Sequence, residues 1–76
     1  MKMSYWRVAA SYPAALWPEF DAVVEKAAGR EPSDSGMGFG ERDLGWVVDT
    51  QEEARLIDAA LQGLKGVKVT VRPIYR

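Results

Sequence analysis

Two hydrophobic periods take turns along this chain. From Ser4 to Ala10, Trp6, Val8 and Ala10 share one parity while Tyr5, Arg7 and Ala9 share the other, the two-residue period of a strand with one buried face. Phe20, Val23, Val24, Ala27 and Ala28 follow at helical spacing, with Glu19, Asp21, Glu25 and Lys26 on the wet side. Gly36, Gly38 and Gly40 then fall on alternate residues, with Met37 and Phe39 between them, and Leu44, Trp46 and Val48 alternate with Gly45, Val47 and Asp49. Ala54, Ile57, Leu61 and Leu64 return to helical spacing, and Val67, Val69 and Val71 alternate with Lys68, Thr70 and Arg72.

The punctuation between these runs sets expected boundaries. Ser11-Tyr12-Pro13 is expected to break the first strand. Pro13 then opens a loose turn, and Pro18 starts a regular helix that runs to Ala28 and stops at Gly29, a left-handed terminator. Trp17 sits at the helix entry, either as a staple or as an exposed anchor. Arg30 to Ser35 reads as a polar loop, and the glycine segment as a hairpin with its turn within Glu41 to Gly45, where Gly45 supplies a positive φ. Thr50 with Glu53 forms a capping box for the second helix, with Asp49 and Glu52 at the positive end of its dipole. Gly63 and Gly66 bracket its end. Pro73 lacks a ladder donor, which suits an edge strand.

The order strand, helix, strand, strand, helix, strand packs economically as a ferredoxin-like βαββαβ two-layer sandwich: one four-stranded antiparallel sheet with both helices on one face. In that α+β arrangement residues 1–76 form a single domain, the terminal strands are neighbours, and the first and third strands are central. Parity assigns Trp6, Val8, Met37, Phe39, Leu44, Trp46, Val48, Val67, Val69 and Val71 to the helix side. The other side is left without a covering layer. Ala9 lies on this face, which we expect to be a protein-binding surface made of Tyr5, Arg7, Gly36, Gly38, Gly40, Val47, Lys68, Thr70 and Arg72. Its glycines would let another backbone or ring approach closely, or alternatively mark a bulge and a twisted edge hairpin.

Composition narrows the chemistry. Cysteine is absent, which excludes disulfides and thiolate metal sites and fits a reducing compartment. No apolar run is long enough to span a bilayer, and no apolar signal segment opens the chain, so a cytoplasmic location is expected. Met1 and the terminal strand lead us to expect a complete protein. The formal net charge is -1, but every Asp and Glu lies between Glu19 and Asp58, while Lys2, Arg7, Lys65, Lys68, Arg72 and Arg76 make both ends basic. Adjacent terminal strands would make one sheet edge basic, a device that steers anionic partners or blunts an edge against aggregation.

Histidine and asparagine are absent as well. That removes the commonest general base and metal ligand, and it leaves any likeness to acylphosphatases, which share this topology and use an Arg with an Asn, without its residues. Gly36-x-Gly38-x-Gly40 is not a dinucleotide loop, because Glu41 stands at the third glycine position and no helix follows. Glu41-Arg42-Asp43 reads as a hairpin-tip salt bridge. Gly38-Phe39-Gly40 resembles part of the glycine-aromatic signature of RNA-recognition motifs, with Tyr5 where a first-strand aromatic stacks a base. Here the glycine segment falls on the second strand, whereas that family needs it on the third. In size and architecture the chain also resembles phage-encoded anti-CRISPR proteins. The expectation is a small non-enzymatic protein-binding module of inhibitor or adaptor type, docking through the open sheet face on another protein or on itself as a homodimer, with no cofactor, metal or membrane. Two alternatives stay open: a binder of single-stranded nucleic acid or anions through the basic terminal strands, and a cofactor-free dimeric enzyme.

Overall fold

A computed structural model describes residues 4–75. The elements are β1 (Ser4–Pro13), α1 (Glu19–Ala28), β2 (Asp34–Gly38), β3 (Glu41–Val48), α2 (Gln51–Gln62) and β4 (Lys68–Tyr75). The strands form one sheet in the order β2-β3-β1-β4. All pairings are antiparallel. This is the ferredoxin-like sandwich expected from the periodicity, with β1 and β3 central and β4 at an edge where the missing amide of Pro73 is tolerated.

The core is built from one parity of the sheet and one side of each helix. Val8, Ala10, Tyr12, Leu44, Trp46 and Val48 from the strands meet Val24 of α1 and Ala54, Ile57 and Leu61 of α2. Trp6, Phe20, Leu64, Val67, Val69 and Val71 pack partly buried around them. The indole N–H of Trp46 is satisfied by donating to the Arg30 carbonyl at 3.1 Å. Thr50 caps α2 as expected, its hydroxyl accepting from the Glu53 amide at 3.1 Å, and Gly29 ends α1 in the left-handed conformation.

Several boundaries depart from the sequence reading. β1 does not break at Ser11: it stays paired with β3 as far as Pro13 opposite Glu41. The alternation of Trp6, Val8 and Ala10 therefore continues to Tyr12, which is buried in the core. A single 3-10 turn, Ala14–Leu16, follows Pro13, and the Trp17–Pro18 peptide is cis. The hairpin turn is not within Glu41 to Gly45. Gly38 already faces Glu41, and the turn is the pair Phe39-Gly40, both with positive φ. Gly45 takes no positive φ; it lies within β3.

Three expected core residues are outside the core. Phe39 stands in the turn with its side chain fully exposed. Met37 has the helix-side parity but is 48% exposed, because α2 lies over β1, β3 and β4 while β2 extends past it as an edge strand. Val23 of the α1 stripe is 45% exposed, facing a hollow of about 310 Å³ lined with Ala15, Leu16, Glu19 and Phe20.

Candidate functional site

The unlayered face of the sheet can be read from the register alone, because residues opposite one another share a face. Tyr5, Arg7, Ala9 and Ser11 of β1 face Ile74, Arg72, Thr70 and Lys68 of β4 on one side. On the other side Arg7, Ala9, Ser11 and Pro13 face Val47, Gly45, Asp43 and Glu41 of β3. Beyond β3, Asp34, Gly36 and Gly38 of β2 stand opposite Gly45, Asp43 and Glu41. Of the nine residues expected here, the fold brings together Tyr5, Arg7, Gly36, Gly38, Val47, Lys68, Thr70 and Arg72. Gly40 is the exception. With φ +78 it belongs to the turn, where a left-handed residue is required.

Side-chain placement adds what spacing did not reveal. The Arg7 guanidinium crosses β3 and pairs with the Asp34 carboxylate of β2 through both terminal nitrogens, Nη2 to Oδ1 at 2.9 Å and Nη1 to Oδ2. The hydrogen bond from Arg7 holds Asp34 below the usual carboxylate range, and the same contact raises the Arg7 pKa. The path of the guanidinium runs over Gly45. A Cβ at that position would lie 2.5 Å from Nη2, so only glycine lets the arginine lie down there. Asp34, which the sequence placed in a polar loop, and Gly45, which it placed in a turn, were therefore missed. The signal available was a glycine at open-face parity between an arginine and an aspartate, but it becomes legible only with the register in hand.

The open face is charge-segregated. Arg7, Lys68 and Arg72 lie on the β1–β4 half; Asp34, Glu41 and Asp43 lie on the β2–β3 half. Lys68 Nζ is 3.8 Å from Glu41 Oε1, both exposed. Arg72 and Asp43 have no ion-pair partner among the described residues. Both line a shallow hollow of about 550 Å³ with Arg7, Ala9, Leu44 and Thr70. The glycines of β2 have an unoccupied front: a Cβ on Gly36 or Gly38 would meet nothing within 4 Å, and neither has positive φ. The unbroken pairing of Asp34 through Gly38 with Gly45 through Glu41 contains no bulge, so the bulge reading of these glycines does not hold. Lys2 and Arg76, also expected at the basic edge, lie outside the described residues.

A second polar cluster lies on the opposite side of the sheet, at the start of α1. The Tyr12 hydroxyl donates to Asp21, and Arg42 binds the same carboxylate, with Nη2 to Oδ2 at 2.7 Å. Burial is the larger cause that pushes Tyr12 up to about 12, with the hydrogen bond to Asp21 adding to it. Burial by itself would raise Asp21, but the hydrogen bonds from Arg42 and Tyr12 outweigh it and leave the carboxylate below its ordinary range. Trp17 lies under the Arg42 guanidinium, 5.7 Å from ring centroid to Cζ. Arg42 is thus not part of a hairpin-tip triplet with Glu41 and Asp43: strand parity sends it to the helix side and its neighbours to the open face. Every polar group of this cluster is consumed by its neighbours, and it works as a clasp between β1, α1 and β3.

No protein-family model matches the chain, and no curated protein matches it in sequence. Among solved structures it is similar to a PII-like signaling protein from Thermus thermophilus, with a TM-score of 0.63 and 14% identity over 99% of this chain and 91% of that one. The likeness is one of fold. Among the described residues no helix is long and apolar enough to cross a membrane.

Proposed function

We propose that this chain is a small non-enzymatic protein-binding module that works by docking its open sheet face on a protein surface. The observation that carries this is the face itself: four strands without a second layer, bearing opposite charges on their two halves and a bare glycine strip at one edge. Segregated charge orients a protein partner and rejects misaligned ones. The same pattern disfavours single-stranded nucleic acid, because a polyphosphate tracking Arg7, Lys68 and Arg72 also meets Asp34, Glu41 and Asp43, and Arg7 is already engaged. The solved relative named as a signaling protein supports a regulatory rather than a catalytic reading, as does a sequence without histidine or cysteine. Inhibitor and adaptor are the two forms this takes, in a cytoplasmic setting.

The test is a photo-reactive amino acid placed at Thr70, exposed on the open face, and separately at Leu56, 67% exposed on the outer side of α2. Protein adducts should form from position 70 and not from position 56 in cells that encode this chain. Adducts from position 56 alone would move the working surface to the helices.

A further inference from the structure

We infer that the protein docking on the open face is a second copy of this chain, joined by reciprocal Arg72–Asp43 ion pairs about a twofold axis over Ala9. The inference rests on the reading of that face as a docking surface and names its partner. It starts from two charges of the open face that make no close ion pair among the described residues, although Asp43 also acts on Arg7 at longer range. Arg7 has Asp34 and Lys68 has Glu41, while Arg72 and Asp43 have no ion-pair partner among the described residues. Their positions are related. Ala9 lies between Thr70 on β4 and Gly45 on β3. Arg72 is one strand away on the β4 side, level with Arg7; Asp43 is one strand away on the β3 side, level with Ser11. The two opposite charges are therefore placed symmetrically about Ala9, two residues before it and two after it along β1.

That symmetry is what an isologous contact needs. When two open faces stack, a twofold axis lying between them, above Ala9 and perpendicular to the line from Arg72 to Asp43, exchanges those two positions. Each Arg72 then sits over the Asp43 of the other copy, and the pair forms twice. Ala9, small and half-buried, lets the backbones approach at the centre. The same operation carries Gly36 of each copy over the Tyr5–Ile74 end of the other, and it sets the two Lys68 side chains near the axis, where each keeps its own Glu41. Within one chain nothing requires glycine at Gly36 or Gly38, since a Cβ at either meets open space without strain. Apposition of an aromatic and an isoleucine from a second copy supplies a use for the bare backbone. The face measures about 19 by 26 Å from strand spacing and rise, so stacking buries roughly 1,000 Å² in total, the lower end of specific interfaces. The dimer is accordingly weak and concentration-dependent.

The experiment is sedimentation equilibrium on wild type, Arg72→Glu, Asp43→Lys, their equimolar mixture and the double variant. Circular dichroism checks folding; both sites are exposed. Wild type should dimerise reversibly. Each single variant sets like charges over each other and should weaken dimerisation at least tenfold. The mixture should recover a heterodimer and the double variant a homodimer, since both restore opposite charges across the axis. A wild type that stays monomeric at millimolar concentration, single variants that dimerise like wild type, or a mixture that stays monomeric would each overturn the proposal. Adducts from position 70 to a different protein, with a monomeric wild type, would overturn the second copy as partner and leave the docking face standing. Adducts from position 56 alone would overturn the docking face itself.

Discussion

The Arg7 guanidinium lies against the backbone of Gly45, with Nη2 only 2.5 Å from where a Cβ would stand. This contact ties three strands together on the open face, because the arginine starts on β1, passes β3 and ends on Asp34 of β2. Asp34 stays exposed at the head of an edge strand, and Arg7 gives its carboxylate a partner there.

Gly45→Ala should lift the guanidinium off the sheet and release Asp34 without unfolding the protein, since the clash is with the far end of a flexible side chain. The Asp34 carboxyl, held low by Arg7, should then titrate at higher pH, as followed by NMR of its side-chain carbon. In wild type the depressed pKa contributes stability that is present above the unfolded carboxylate range and lost as pH falls through the folded value. Asp34 is half exposed and Arg7 24% exposed, so solvent screens the pair and its loss should cost no more than about 1 kcal/mol. An unchanged Asp34 titration in the variant would show that the pairing does not depend on the glycine.

Tyr12→Phe removes the hydroxyl that donates to Asp21 while keeping the ring against Phe20, 4.9 Å between centroids. A hydrogen bond to a charged group is worth about 1.5–3 kcal/mol, and Arg42 still serves the carboxylate, so a loss near the lower figure is expected in urea denaturation. The wild-type hydroxyl is raised from 10.0 to about 12. A raised folded pKa contributes stability that is complete below the unfolded pKa and disappears as pH climbs through the folded one. Wild type should therefore lose stability between those two values, and Tyr12→Phe should show a flatter alkaline limb.

Phe39 occupies the first position of a two-residue hairpin turn with φ 53, followed by Gly40 with φ 78. Consecutive left-handed residues favour Asn-Gly, and an aromatic there is strained while its ring is left in solvent. Phe39→Asn should stabilise the isolated domain by about 1 kcal/mol. A lower denaturation midpoint in the variant would mean that the ring makes a stabilising contact within the chain.

Trp46 is fully buried and Trp17 is 45% exposed. Truncating a buried large aromatic costs about 3–5 kcal/mol, comparable to the whole stability of so small a domain. Trp46→Ala should fail to give a cooperative thermal transition, whereas Trp17→Ala should fold with a modest loss from the Arg42 contact. Iodide should quench Trp17 readily and Trp46 hardly at all.

What the sequence determined was whatever depends on short range. The two-residue and helical periods placed the four strands and both helices, Thr50 and Gly29 marked helix ends where local hydrogen bonding and backbone freedom demand them, and Pro73 pointed to an edge. Parity also separated the faces wherever a strand lies inside the sheet, so Val8, Leu44, Trp46 and Val48 went inward and Arg7 and Val47 outward. Tertiary structure decided what depends on length and overlap. Alternation assigns a face but not whether a helix reaches over it, which is why Met37 has core parity and no core. A proline at a strand end does not stop pairing that β3 supplies from outside, so Tyr12 became a core residue and the hairpin turn moved to Phe39-Gly40. Arg7 and Asp34 are 27 residues apart and were joined only when the register set Gly45 between them, leaving room for a guanidinium where any side chain would have stood.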